Sequence, residues 1–283
     1  MRREGRSSTR GINIMLKSII KGAVVVASLA LATSAIAKDK IRVGISPEAY
    51  PPFTSLNAKN QWEGFEIDLL AALCKQMDAD CKIVSIAWDG LIPALNGKKI
   101  DMIFNSMSIT DERKKVIDFS DKYYNSPAEI IGTKDAPNVT VVDNPDGKGG
   151  KIANPADLKG KTIGVQTATI HADYAAKYFK DATVKVYDTA DNHNADLVAG
   201  RIDYALLDSV AADDFVKANA SKGIGAKLIV PADPIFGVGA GAGLRKNDTK
   251  LKDKINAAIK AVRASGEYDA IAKKYFTFNI YGD

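Results

Sequence analysis

The chain has 283 residues, 46% hydrophobic and 26% charged, with a formal net charge of +5. The charge is local: the first 37 residues hold six Lys/Arg and one Glu, so the remainder carries 39 − 6 = 33 bases against 34 − 1 = 33 acids. A neutral remainder offers no field for nucleic acid, and two cysteines with two distant histidines, His171 and His193, make no metal-ligand set.

Lys17 and Lys21 precede the apolar run 23–32, and Ala35-Ile36-Ala37 puts small residues where a signal peptidase reads them. The pattern predicts a signal peptide over 1–37, cut after Ala37. No later segment is apolar enough to span a bilayer, so the remaining 283 − 37 = 246 residues are expected to be exported and soluble. That length suffices for one large core or two small ones.

In chain order the periodicities predict a strand at 41–46, a Pro-rich loop at 50–53, a helix at 65–76 and a strand at 81–86. A helix at 91–96 and a strand at 100–104 follow. Cys74 and Cys81 are the only cysteines and fall near the helix end and the next strand's start. In an oxidising compartment a small-loop disulfide is favoured there over two free thiols. The strand at 100–104 runs into Asn105, Ser106, Ser108 and Thr110, then a helical run of charges. Thr110 or Asp111 suits an N-cap. Arg113 can grip both oxygens of a carboxylate, with hydroxyls and the helix start completing the shell.

The grammar then repeats: strand 161–165, helix 171–179, strand 183–187, a helix through 196–199 and strand 202–207. Residues 97–104 align with 199–206, which sets Ser106 against Asp208. Two βαβαβ copies predict two lobes built on parallel strands, with ligand at the carboxyl ends of those strands. Asp101 and Asp203 read as turn or capping acids and His193 as a surface residue. The stretch 135–160 reads as a mobile surface excursion, and 251–276 as one amphipathic core helix.

Several motifs stand in one order: Tyr50-Pro51-Pro52-Phe53, Gly64-Phe65-Glu66-Ile67-Asp68-Leu69, Trp88-Asp89-Gly90-Leu91-Ile92-Pro93 and Ser106-Met107-Ser108-Ile109-Thr110. Arg113, Gly164-Val165-Gln166 and the ending Ala272-Lys273-Lys274-Tyr275-Phe276 join them. Over nearly all of 38–283 the chain resembles the family 3 solute-binding proteins, periplasmic receptors of polar amino-acid importers. It is most similar to the lysine/arginine/ornithine and histidine receptors, with opine receptors nearby.

The resemblance implies an α/β, two-lobed periplasmic binding protein fold, each lobe a mixed sheet flanked by helices and joined by two hinge strands. Lobe 1 would be 38–125 plus 234–283, and lobe 2 would be 126–233. It implies a monomeric, non-enzymatic receptor in the periplasm, without cofactor or metal. Its partners would be a small cationic amino acid and the membrane permease of an ABC transporter. Arg113 matches the partner of the ligand α-carboxylate, assisted by Ser108 and the turn after Gln166. Asp208 matches the acceptor of the α-ammonium, with Ser106 and Asn105 near it. Tyr50 and Trp88 match the aromatic pair along the ligand side chain, and Glu66 an acid at its far end. Glu48 is a possible second acid, in a loop one residue longer than the pattern.

Two departures bear on the ligand. At the second-lobe turn Ala168-Thr169-Ile170 stands where Gly-Thr-Thr or Gly-Ser-Thr is common, so carboxylate contacts there rest on Thr169 and backbone N–H groups. Asn105 replaces a smaller residue. His171 either lines the cleft or caps its helix. The alternatives are an opine receptor, whose further carboxylate finds no second cation in the sequence, and an enzyme derived from the same fold, such as a dehydratase or lytic enzyme. Ser106, His171 and Asp208 lack the G-x-S-x-G elbow of a hydrolase.

Overall fold

The computed structural model describes residues 38–146 and 150–282. The expected signal peptide and its cleavage point lie outside the described residues.

The first unit opens with β1 (Asp39–Ile45) and a small hairpin, β2 (Ser55–Leu56) and β3 (Trp62–Glu63). It continues with α1 (Phe65–Gln76), β4 (Ala79–Ser85), α2 (Leu91–Asn96), β5 (Met102–Ile103), the single turn α3 (Asp111–Lys114) and β6 (Asp118–Tyr124). The second unit holds β7 (Ala128–Thr133), β8 (Val141–Asp143), β9 (Lys151–Ala153), β10 (Thr162–Gln166), α4 (Ile170–Tyr178) and β11 (Thr183–Tyr187). Then come α5 (Ala190–Val198), β12 (Tyr204–Asp208), α6 (Ser209–Asn219) and β13 (Ile224–Ile229). The chain returns to the first sheet through β14 (Ala240–Leu244) and ends in α7 (Thr249–Ala264) and α8 (Glu267–Ala272).

Two five-stranded sheets share one topology, β4-β1-β5-β14-β6 and β11-β10-β12-β7-β13. In each, the first three strands are parallel and the last two antiparallel to their neighbours. The sheets are therefore mixed rather than wholly parallel, because a distant strand is inserted beside β5 and beside β12. The repeat read from the sequence holds in register: Gly44 pairs with Ile103 as Gly164 pairs with Ala205. Asp101 and Asp203 do equivalent work. Each carboxylate accepts the N–H of a residue near the start of the neighbouring strand, Arg42 at 3.0 Å and Thr162 at 2.8 Å.

Helix α1 buries Phe65, Leu69 and Leu73 at a spacing of four, the stripe that a 3.6-residue period lays on one face. They meet Ile255, Ile259 and Val262 of α7 in the first core. The rings of Phe53, Phe65, Tyr124 and Phe276 pack against one another within that core. Cys74 of α1 and Cys81 of β4 form the disulfide.

Three expectations give way. The terminal helix breaks at Gly266, whose φ of +78° ends α7 with a left-handed residue before α8 begins. The charged run after Thr110 makes only one helical turn, since Ile117 and Phe119 must turn inward to the core. Within 135–160 the described residues, 135–146 and 150–160, are tied down: β8 pairs with β9, and Val139, Ile152 and Leu158 are buried in the second core.

Two glycines with positive φ yield a test. A methyl at Gly64, φ +121°, would sit 2.2 Å from the Phe53 carbonyl oxygen, whereas one at Gly266 meets nothing within 4 Å. Gly266→Ala is expected to cost about 1 kcal/mol for the left-handed backbone alone. Gly64→Ala should cost about 3 kcal/mol or more, because the loop must move as well. Equal losses in thermal or urea unfolding would mean that the Phe53 loop yields freely.

Candidate functional site

The carboxyl ends of β5 and β12 face one cavity, lined from the first unit by Glu48, Tyr50, Trp88, Asn105, Ser106 and Ser108. Arg113 completes that side. Gln166, Thr169, Ile170, His171, His193 and Asp208 line the other.

Arg113 follows directly from the cap expected at Thr110, whose hydroxyl accepts the Arg113 N–H at 3.1 Å. Its guanidinium donates to the carbonyls of Ser108, 3.1 Å, and Ala168, 3.0 Å, and lies 5.5 Å from the centre of the Trp88 ring. Burial pulls its pKa down to about 10, against the attraction of Asp173 and Asp208, so it stays cationic at neutral pH.

Asp208 stands at the N-cap of α6 but does not cap it. The Val210 N–H, which a cap would take, lies 3.5 Å from Ser126 Oγ, while the Ser209 N–H goes to the Pro127 carbonyl at 2.8 Å. The carboxylate is left to face the cavity, where the Tyr50 hydroxyl donates to Oδ2 at 2.8 Å. Burial first, then the Asp208 charge, drives the Tyr50 hydroxyl well above its ordinary pKa, so it remains a donor.

Among the described residues, bonds that cross between the units run from Tyr50 to Asp208, from Gln166 Nε2 to Glu48 Oε2 at 2.8 Å, and from both Arg113 and Trp88 Nε1 to the Ala168 carbonyl. Ala168 adopts a φ of +55° at the turn where a glycine is common in the resembling proteins. A left-handed alanine costs of order 1–2 kcal/mol, which the convergence of Arg113 and Trp88 on its carbonyl helps to offset.

The sequence expectations meet this geometry unevenly. Tyr50, Trp88, Asn105, Ser106, Ser108, Arg113, Thr169, Ile170, His171 and Asp208 all line the cavity. Glu48 does too, with Oε1 3.4 Å from the Trp88 N–H. Thr169 is structurally committed, because its hydroxyl donates to the Gln166 carbonyl and accepts from the Ala172 N–H. Asn105 is tied as well, its Oδ1 accepting the Ser46 N–H.

Glu66 is a correction. It has no exposed surface and does not line the cavity. Its carboxylate lies beneath Ser106, taking the Ser106 N–H at 2.6 Å, the Ser106 hydroxyl at 3.0 Å and the Tyr123 hydroxyl. The helix that begins at Gly64 points this side chain into the protein. His193 is the opposite correction: expected at the surface, it is 1% exposed and lines the cavity. Its face was legible, since Ala190, His193, Asn194 and Leu197 recur at i, i+3, i+4 and i+7 and are all buried. Gln166 was quoted only for its turn, and its amide proves to be a cross-cavity donor.

Two equivalent α/β units that bond to each other across a polar cavity define a two-lobed binding protein. The chain belongs to the bacterial extracellular solute-binding proteins, family 3, which it matches over residues 41–278. It is 42% identical over 275 residues to the L-arginine-binding protein of Pseudomonas aeruginosa, covering 95% of this chain and 99% of that one. Against the lysine/arginine/ornithine-binding periplasmic protein of Escherichia coli the identity is 39% over 274 residues, with 95% and 100% covered. Among solved structures it is similar to a Salmonella typhimurium periplasmic binding protein of high arginine specificity. There the TM-score is 0.74 at 31% identity, covering 84% of this chain and all of that one. An ancestral arginine-binding protein bound to arginine matches with TM-score 0.73 at 31% identity, over 84% of this chain and 99% of that chain.

The buried carboxyl gives a pH test. Burial raises the Glu66 pKa to about 7, more than its hydrogen bonds lower it. The folded protein then holds a proton that the unfolded chain releases, so this group makes stability fall as pH rises from about 4.5 to about 7. Glu129, raised to about 7 mainly by burial, acts in the same window. Glu66→Gln is expected to shrink, without abolishing, the drop in melting temperature between pH 5 and pH 8. An undiminished drop would mean that Glu66 is already ionised at pH 5.

Proposed function

We propose that the chain is the periplasmic receptor of an ABC importer, capturing arginine, lysine or ornithine, with histidine a weaker ligand, and presenting it to the membrane permease. One observation carries this reading: a fixed cation, Arg113, and a fixed anion, Asp208, face one cavity from opposite units. A zwitterion needs that pair, its α-carboxylate on Arg113 and its α-ammonium on Asp208. The names of the relatives support a basic side chain.

The charge count supports it independently. Arg113 and Asp208 balance the zwitterion, which leaves Glu48 as one surplus negative charge in the cavity. Glu48, rather than Glu66, is therefore the acid for the distal cation. Tyr50 and Trp88 would cover the methylenes or the guanidinium plane between the two ends.

The lobes of this reading are 38–125 with 234–283, and 126–233, hinged near 124–127 and 232–237. Ligand cross-links them and stabilises the closed form, because it touches both at once. The receptor works as a monomer, makes and breaks no covalent bond and needs no cofactor. The signal peptide read from 1–37 supports delivery to the periplasm.

Two variants test the assignment by calorimetry at fixed salt. Arg113→Ala should weaken every amino acid ligand by about 2–5 kcal/mol, the loss from truncating one partner of a desolvated charged pair. Retained tight binding would put the carboxylate elsewhere. Glu48→Gln should cost arginine about 1–3 kcal/mol and narrow its lead over glutamine. Equal losses for the two ligands would remove Glu48 from the side-chain site.

A further inference from the structure

Beside the cavity lies a second hollow that the proposed function does not use. Its volume is about 280 Å³, and its wall is mostly apolar, from Pro51 of the first unit and Ala190, Ala211, Phe215 and Ala218 of the second. Tyr50 and Leu207 line both spaces, so they form a partition between them. The Tyr50 hydroxyl, fastened to Asp208, holds that partition in place. The hollow is thus a chamber of its own, formed where the 49–51 loop meets α5 and α6.

The charged groups in its wall have one sign. Asp191 of α5 and Asp214 of α6 line it, and no base does. Among the described residues neither makes an ion pair, and Lys217, one turn beyond Asp214, makes none with it. Asn194 also lines the hollow; it is 8% exposed, and its Oδ1 is buried without a hydrogen bond. A buried acceptor left unpaired costs its desolvation, so this oxygen calls for a donor.

Acceptors without a donor select a cation, and an apolar wall selects one with an apolar body. The rings of Tyr50 and Phe215 suit both parts, because an aromatic face attracts an ammonium as well as hydrocarbon. A cavity of about 150 Å³ is enough for benzene, so a ring with a short chain has room here. A hard metal ion is a poor match, since two carboxylates and one amide fall short of its oxygen shell. Because the walls come from both units, an occupant holds them together as the amino acid does. Two ligands that favour the same closed form strengthen each other by an equal factor. We infer that this hollow binds a small hydrophobic amine, as its ammonium ion, and that the amine and the amino acid tighten each other. The coupling rests on the proposed function; the site itself does not.

The probe is 2-phenylethylammonium, with 3-phenylpropanoate as its anionic counterpart. Calorimetry at pH 7 and fixed salt should find binding of the amine and none of the anion. Saturating L-arginine should tighten the amine by about fivefold or more, the lower end of ordinary coupling between sites. Asp191→Asn combined with Asp214→Asn should weaken the amine about tenfold and leave the affinity for arginine alone unchanged. No binding of the amine, with or without arginine, overturns the site, and equal binding of both probes overturns the charge assignment. Displacement of the amine by arginine would put it in the main cavity and overturn the separate chamber. Amine affinity that survives both substitutions, in a variant with a cooperative melting transition, overturns the role of the carboxylates. Amine binding indifferent to bound arginine overturns the coupling. If the amine binds and arginine does not, the amino-acid reading fails and the site stands.

Discussion

The first lobe's side of the cavity hangs on one buried carboxyl. Ser106 has a φ of +51°, a left-handed conformation that a serine adopts only when its surroundings hold it there. Glu66 does so by accepting both the Ser106 N–H and its hydroxyl, while Tyr123 of β6 donates to the same carboxyl. Tyr123 in turn stacks on Phe104, at the end of β5. The turn that presents Asn105, Ser106 and Ser108 is therefore fixed from below by helix, strand and ring together. With Glu66 ionised, the Ser106 hydroxyl proton is committed to it and the oxygen meets the cavity as an acceptor.

The charges within the cavity are what make a cationic ligand suitable in the proposed function. Glu48 and Asp208 are set against Arg113 alone, and charge removed from water without balance is costly. The bonds across the cavity spread part of that cost: Tyr50 on Asp208, Gln166 on Glu48, and the Ala168 carbonyl on Arg113. They do not neutralise it. A molecule with one net positive charge completes the balance and holds both lobes, which couples recognition to closure in the proposed function.

Much of the fold was legible because it rests on local rules. Helices α1 and α2 begin and end at the residues that periodicity marked, and the cap at Thr110 is a property of three or four neighbours. The alignment of 97–104 with 199–206 gave the register of both central strands. What local rules could not give was insertion and depth. The strands β14 and β7 enter beside β5 and β12 from far along the chain, and no periodicity announces an antiparallel neighbour. The resemblance put Glu66 at the far end of the ligand, but an acid near a helix start has two ways to face, and packing against Tyr123 turns this one inward. His193 was misread for the opposite reason: its helical face was regular, but a lone histidine among polar neighbours resembles surface until the sheet beneath it is known.

The internal duplication shows how one scaffold presents opposite chemistry on its two walls. Ser106 and Asp208 occupy equivalent positions after equivalent strands, and each lies within reach of a carboxylate. In the first lobe that carboxylate belongs to α1 and stays under the chain, where its oxygens are consumed by Ser106 and Tyr123. In the second it is the strand-end residue itself, which does not cap α6: the Val210 N–H that a cap would take lies 3.5 Å from Ser126 Oγ. The same strand-end geometry thus yields a wall of hydroxyl and carbonyl acceptors on one side and, on the other, a cavity-facing carboxylate bonded by Tyr50. Arg113, brought in by the one-turn helix α3 where the second lobe has the longer α6, adds the cation. The asymmetry that a zwitterion requires arises from where each lobe spends its carboxylate, on a backbone that is otherwise shared.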